Sequence, residues 1–242
     1  MASQDPKQGE KSHSEVIQSI AVTGAGAEIG GALCSALAAA GVEVVMIDRK
    51  ERQMSAVYDA ICSTGGPEPL MVEFDLVKSE ASQFEQLGSA LQDQVPALHG
   101  LVHAAFWGAP LTPIALSDLA TWNRVLDQNL ARPVFLTRVL YPLLQVTPQS
   151  AVIFSTLDCG TRGRAYWGSL GAAFAGIGNV AATLEDEWSE SGISVGTVDC
   201  STVRTAVRKK FYPAATEDDL TDPADPAFIG QYLALLGIRE SR

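Results

Sequence analysis

The chain has 242 residues, enough for one large domain or two small ones, and 47% of them are hydrophobic, enough for a sizeable core. Its formal net charge of −11 disfavours nucleic acid, which needs clustered Lys and Arg, and disfavours an anionic membrane surface equally. The four cysteines (Cys34, Cys62, Cys159, Cys200) are far apart with no C-x-x-C pair, which reads as free, mostly buried thiols in a reducing cytoplasm, with no metal site.

Residues 1–15 are polar, lack an apolar leader core and read as a disordered tail; residues 16–242 read as one domain. From Val16 onward, strand-like and helix-like segments alternate. Val16 to Thr23 reads as a strand, and Ile29 to Ala40 as a small-residue helix ending at Gly41. Val42 to Asp48 is β-branched, Arg49 to Ser63 has helical spacing, Leu70 to Leu76 is a strand, and Glu80 to Gln94 is a polar helix. His99 to Ala105 is a fourth strand, followed by a long helix from Ser117 to Leu144 with Pro133 as a kink. Ala151 to Thr156 is a fifth strand, Trp167 to Ser191 a long helix, and Ile193 to Cys200 a sixth strand. No apolar run reaches the length of a membrane span. The alternation predicts an α/β fold, a parallel sheet with helices on both faces, whose strands are apolar almost throughout because both faces are buried.

Between the first strand and its helix lies Thr23-Gly24-Ala25-Gly26-Ala27-Glu28-Ile29-Gly30. Glycines at such a turn let the backbone bend tightly and let a pyrophosphate approach the helix N-terminus; a tight turn that binds nothing is the competing reading. Asp48 follows about twenty residues later at a strand end, as a ribose-binding acid does in dinucleotide sites.

The chain here resembles the short-chain dehydrogenase/reductase family, whose signature is T-G-x-x-x-G-x-G. Thr23, Gly24 and Gly30 match, and Glu28 replaces the middle glycine. The resemblance implies a doubly wound Rossmann-like sheet in the order 3-2-1-4-5-6. The family's seventh strand is missing, since the sequence stops at LALLGIRESR. It implies NAD or NADP as cofactor, contacted by Thr23, Gly24, Gly26, Ile29, Gly30, Asp48, Arg49, Asp75, Leu76, Ala104 and Thr205. Asp48 favours NAD, whereas Arg49 suits the phosphate of NADP; Asp48 weighs more because it would repel that phosphate. Glu28 would repel the pyrophosphate unless it turns outward, so cofactor binding is expected to be weak or absent.

The family's catalytic Ser, Tyr and Lys follow the fifth strand. GTRGRAYWG aligns with a motif of a bacterial subgroup and places these positions at Leu157, Leu170 and Phe174, all apolar. Asn129 matches the family's helix asparagine. Substitute groups would be His103, at the end of the fourth strand, and Tyr166; a His103 hydrogen-bonded within the sheet is the weightier alternative. Three functions follow: a non-catalytic family member, which explains most; an oxidoreductase using His103, Asn129 and Tyr166; or a lyase or isomerase without cofactor. From Gly168 to Ala182, ten of fifteen residues are Gly, Ala or Ser. With the helix at 117–144, this segment at 167–191 is where family members pair, which predicts a homodimer.

Overall fold

The computed structural model describes residues 18–214, 216 and 220–238. The expected tail at 1–15 and the first two residues of the expected first strand lie outside them. Strands β1 (Ser19–Thr23), β2 (Glu43–Asp48), β3 (Leu70–Glu73), β4 (Gly100–His103), β5 (Ser150–Thr156) and β6 (Ile193–Asp199) form one parallel sheet. Its order is β3-β2-β1-β4-β5-β6, as the sequence predicts. The strand order reverses between β1 and β4, and the crevice above their carboxyl ends is where such folds bind ligands.

The helices are α1 (Glu28–Ala39), α2 (Glu51–Ser63), α3 (Ala81–Gln94), α4 (Leu119–Leu126), α5 (Arg132–Leu144), α6 (Gly168–Glu187), α7 (Ala206–Phe211) and α8 (Pro226–Leu235). Alternate strand residues feed two cores. Ile20, Val22, Met46 and Ile153 pack with Leu33, Leu37, Met54 and Tyr232, under α1, α2 and α8. Ala21, Val45, Leu101 and Phe154 pack with Phe84, Leu91, Leu140 and Ile177, under α3, α5 and α6. Both faces are apolar, so the strands read as continuous hydrophobic runs.

Two expectations need correction. The helix expected at 117–144 is divided: α4 gives way to a π-helical segment at Asp127–Ala131 before α5 begins. Pro133 sits in the first turn of α5, where its missing N–H costs little, so the irregularity falls ahead of the proline rather than at it. The third strand ends at Glu73, not Leu76, and the chain turns at Asp75, whose Oδ1 accepts from Val77 N at 2.9 Å. Helices α7 and α8 had no counterpart in the sequence reading. Thr205 and Asp225 cap them, accepting from Arg208 N (3.1 Å) and Phe228 N (3.0 Å).

Candidate functional site

The glycine turn joins β1 to α1 at the crevice. Gly24 has φ +69°, and a Cβ there would come within 2.9 Å of the Ala105 backbone. A Cβ on Gly30 would lie 2.1 Å from the Gly24 carbonyl oxygen, and one on Gly26 would lie 2.5 Å from the Gln53 backbone. Contacts within the chain thus require all three glycines. Thr23 Oγ1 accepts from Ala105 N at 3.3 Å, which fixes Ala104 and Ala105 beside the turn. Asp48 accepts from Gly26 N at 2.9 Å through Oδ2 and from Arg49 N at 2.7 Å through Oδ1. Its carboxylate therefore braces the turn, while Arg49 Nε reaches only Gln53, at 3.4 Å. The structure thus brings Thr23, Gly24, Gly26, Gly30, Asp48 and Ala104 together. Asp75 and Leu76 belong to the turn after β3. Leu76 serves there through its carbonyl, which accepts from Arg132.

Glu28 opens α1, where a carboxylate suits the helix dipole. It does not point idly outward: its Oε1 accepts from Ala206 N, in the first turn of α7, at 2.8 Å. The contact ties the glycine turn to the segment after β6. The shape of the turn fits a dinucleotide; a carboxylate in its mouth does not fit a pyrophosphate.

The mouth above β5 and β6 is built differently. Leu170, Phe174, Trp167, Cys159, Ala173 and Val125 form a third buried cluster, with Phe106, Leu157 and Phe211 packed against it. Phe174 is 4% exposed, and its ring meets that of Phe106 edge-on with centroids 6.0 Å apart. The positions that the resemblance assigns to Ser, Tyr and Lys are thus filled by side chains packed on one another.

A narrow pocket lies beside this cluster. Ile29, Phe106, Leu157, Trp167, Phe211 and Tyr212 give its apolar walls; Asp158, Arg164, Ser201, Thr205 and Arg208 give its polar groups. It contains no His, Lys or Glu. Asp158 pairs with Arg164, and Ser201 Oγ donates to Asp199 at 2.6 Å. Cys200 also lines it, but burial pushes its thiol up to about 11, so it is no thiolate nucleophile at neutral pH. Of the expected cofactor residues, Ile29 and Thr205 reach this pocket.

The expected catalytic substitutes do not. His103 is 4% exposed, stacked on Phe154 at a centroid distance of 4.8 Å, with Nε2 2.8 Å from Thr137 Oγ1. Thr137 Oγ1 donates to Pro133 O at 3.0 Å, so it accepts from the His103 Nε2–H. Burial lowers the His103 pKa to about 3, keeping the ring neutral. It is a core residue, not a pocket base. Asn129 donates to Val125 O (3.0 Å) and Trp107 O (3.1 Å) and accepts from Trp107 N (2.8 Å). It sits in the π-helical segment and anchors the loop after β4. Tyr166 is 58% exposed at φ +76° and does not line the pocket. Arg208 and Tyr212 were not among the expected site residues, although VRTAVRKKF matches the family's T-x-x-R region, which runs from Thr205 to Arg208.

The profile of the short chain dehydrogenase family matches residues 18–216. The chain belongs to the short chain dehydrogenase family. An uncharacterized Escherichia coli K12 oxidoreductase, YciK, is 28% identical over 218 residues, covering 90% of this chain and 85% of that protein. The solved structure of a candidate short chain dehydrogenase from Pseudomonas syringae is 30% identical, with a TM-score of 0.86 over 90% of this chain and 88% of that one. Another, from Escherichia coli CFT073 and complexed with NADPH, is 27% identical with a TM-score of 0.86, covering 90% of each chain. Among the described residues of this family member, no group of three or more His, Cys, Asp or Glu is placed to hold a metal ion. No described helix is long and apolar enough to cross a membrane.

Proposed function

We propose that this short chain dehydrogenase homologue does not carry out the family's Tyr–Lys–Ser carbonyl reduction and binds NAD(P) weakly. The observation that carries this reading is the burial of Leu170 and Phe174 in an aromatic and aliphatic cluster at the positions of the proton-transferring Tyr and Lys. The pocket's charged lining groups are Asp158, Arg164 and Arg208. Arginine does not trade protons, and Asp158 is held by Arg164. NADPH in a structural neighbour supports retained dinucleotide recognition through the braced glycine turn. Glu28, tied to Ala206, opposes it. The test is NADPH oxidation with a panel of ketones and aldehydes. The expected rate is that of the solution without protein. Turnover that survives in His103→Phe and is abolished by Phe174→Ala overturns the reading.

We also propose that two copies pair through α4, α5 and α6 and act in the cytoplasm. On α6, Ala172, Ala175, Gly178 and Ala182 are exposed, a row along which a second backbone can approach closely. Light scattering at tens of micromolar is expected to give the mass of two chains. The mass of one chain overturns this pairing.

A further inference from the structure

The pocket beside β5 and β6 is rich in hydrogen-bond donors that lack acceptors. Arg208 Nε is buried and has no partner. The same guanidinium lies over the Tyr212 ring, 4.8 Å from its centroid, and donates through Nη1 to Ser201 O. The Tyr212 hydroxyl accepts from Arg164 Nη1 at 3.0 Å, which leaves its own O–H free to donate. Thr205 Oγ1 accepts from Arg208 N, and its O–H likewise has no acceptor among the described residues. Buried donors in native proteins almost always have partners, so the unpartnered Arg208 Nε, with the half-exposed hydroxyls of Tyr212 and Thr205 on the same wall, calls for a group that only accepts.

The charges agree. Arg164 is balanced by Asp158, and Arg204 by Asp222. Arg208 forms no ion pair among the described residues, which leaves this pocket with a surplus positive charge in a chain of net charge −11. The remaining walls are apolar: Phe106, Trp167 and Phe211, with Trp167 edge-on to Phe211 at 4.8 Å. A pyrophosphate, with its several hydrated charges, has nothing to gain from such walls; a single carboxylate on an apolar body matches both halves.

We infer that this pocket binds a small aromatic or aliphatic monocarboxylate, its carboxylate held by Arg208, Tyr212 and Thr205. The inference does not depend on the chain lacking carbonyl reductase activity, because it concerns binding without cofactor. Benzoate is the probe, benzamide its neutral isostere, and the quenching of tryptophan emission the readout, since Trp167 lines the site. Benzoate is expected to bind saturably and about tenfold or more tighter than benzamide, because hydrogen bonds to charged groups are the stronger ones. Trp167→Phe is expected to remove the signal. Calorimetry is expected to show binding weakened about tenfold by Arg208→Gln and severalfold by Tyr212→Phe. Should Arg208→Gln fail to fold, Tyr212→Phe alone decides, since it removes one hydroxyl. Equal binding of benzoate and benzamide, a signal that survives Trp167→Phe, or affinity unchanged in the variants overturns the inference. So does NADPH binding that Arg208→Gln weakens while benzoate, phenylacetate and hexanoate all fail to bind, for then the free donors serve the dinucleotide.

Discussion

The crevice above the sheet has two halves. The half around β1, β2 and β4 is held by polar contacts of the backbone: Thr23 to Ala105, Asp48 to Gly26, and Glu28 across to Ala206. The half around β5 and β6 is held by apolar packing of Leu157, Leu170, Phe174 and Phe106. In the first, Thr23, Gly24 and Gly30 match the family's signature, and the glycines hold the turn itself. A Cβ at Gly24, Gly26 or Gly30 would strike backbone, whether or not a cofactor ever binds. The family's Ser, Tyr and Lys side chains have no comparable structural duty, and apolar groups that stabilise the fold can take their positions. Retained glycines are therefore poor evidence for retained chemistry.

The largest effect is expected where the second half behaves as core. Phe174→Ala should lower the unfolding free energy by about 3–5 kcal/mol, as large-to-small changes do in well-packed interiors. Urea denaturation measures it, with the midpoint shifting and the slope unchanged. A loss below about 1 kcal/mol would show a site open to solvent, and the contrast between the two halves would fail.

His103 lies beneath the boundary between the halves, and its burial makes stability depend on pH. The unfolded chain takes up a proton near pH 6.5, whereas the folded ring stays neutral down to about pH 3. The unfolded state thus binds more protons in that window. The stability is fully present above pH 6.5 and is lost as pH falls toward the folded value, by up to about 1.4 kcal/mol per pH unit from this residue. Between pH 6.5 and 4.5 that amounts to about 2–3 kcal/mol. His103→Phe should flatten the profile by this amount while keeping the stack on Phe154, since Thr137 retains its bond to Pro133. An unchanged acid profile would mean the ring is solvated.

The parallel sheet was legible because strands and helices alternate, its strand order because the family resemblance implies it, and the glycine turn because its spacing is a backbone requirement. Two readings of His103, a pocket base and a residue hydrogen-bonded within the sheet, stayed open in the sequence for a physical reason. His103 shares a face with Leu101, not Val102, but when both faces of a strand are buried, composition does not tell which is which. Tyr166 was misread because its left-handed backbone is set by the loop after β5, which carries no local signal. Arg208 was legible as the Arg of the T-x-x-R match but not as a site residue, because its meaning lies in what it fails to pair with, and pairing is a property of the folded chain.

The effect on cofactor affinity tests the first half. Glu28→Gln removes the charge but keeps an acceptor for Ala206 N, and should tighten NADPH binding about tenfold or more, since a like charge beside phosphate opposes a contact worth about 1.5–3 kcal/mol. A fluorescence titration of the nucleotide measures it. Tight wild-type binding that Glu28→Gln leaves unchanged would show that the carboxylate swings clear.

The smallest effect concerns the edge of the second half. Tyr166 adopts φ +76°, which costs a residue with a side chain about 1–2 kcal/mol. Its carbonyl accepts from Thr112 N at 3.1 Å, a bond any residue can supply. Glycine would relieve the strain but adds about 0.4–1 kcal/mol of unfolded-chain entropy. Tyr166→Gly should therefore stabilise the protein by about 0.5–1 kcal/mol, raising Tm by about 1–4 °C in a chain of this size. Ile114 and Leu116, which follow Thr112 in the chain, are also exposed. A Tm that falls instead, and falls further on dilution, would mean that a second copy covers the Tyr166 ring. The strain would then be the cost of holding an aromatic anchor at the interface rather than a tolerated accident of the loop.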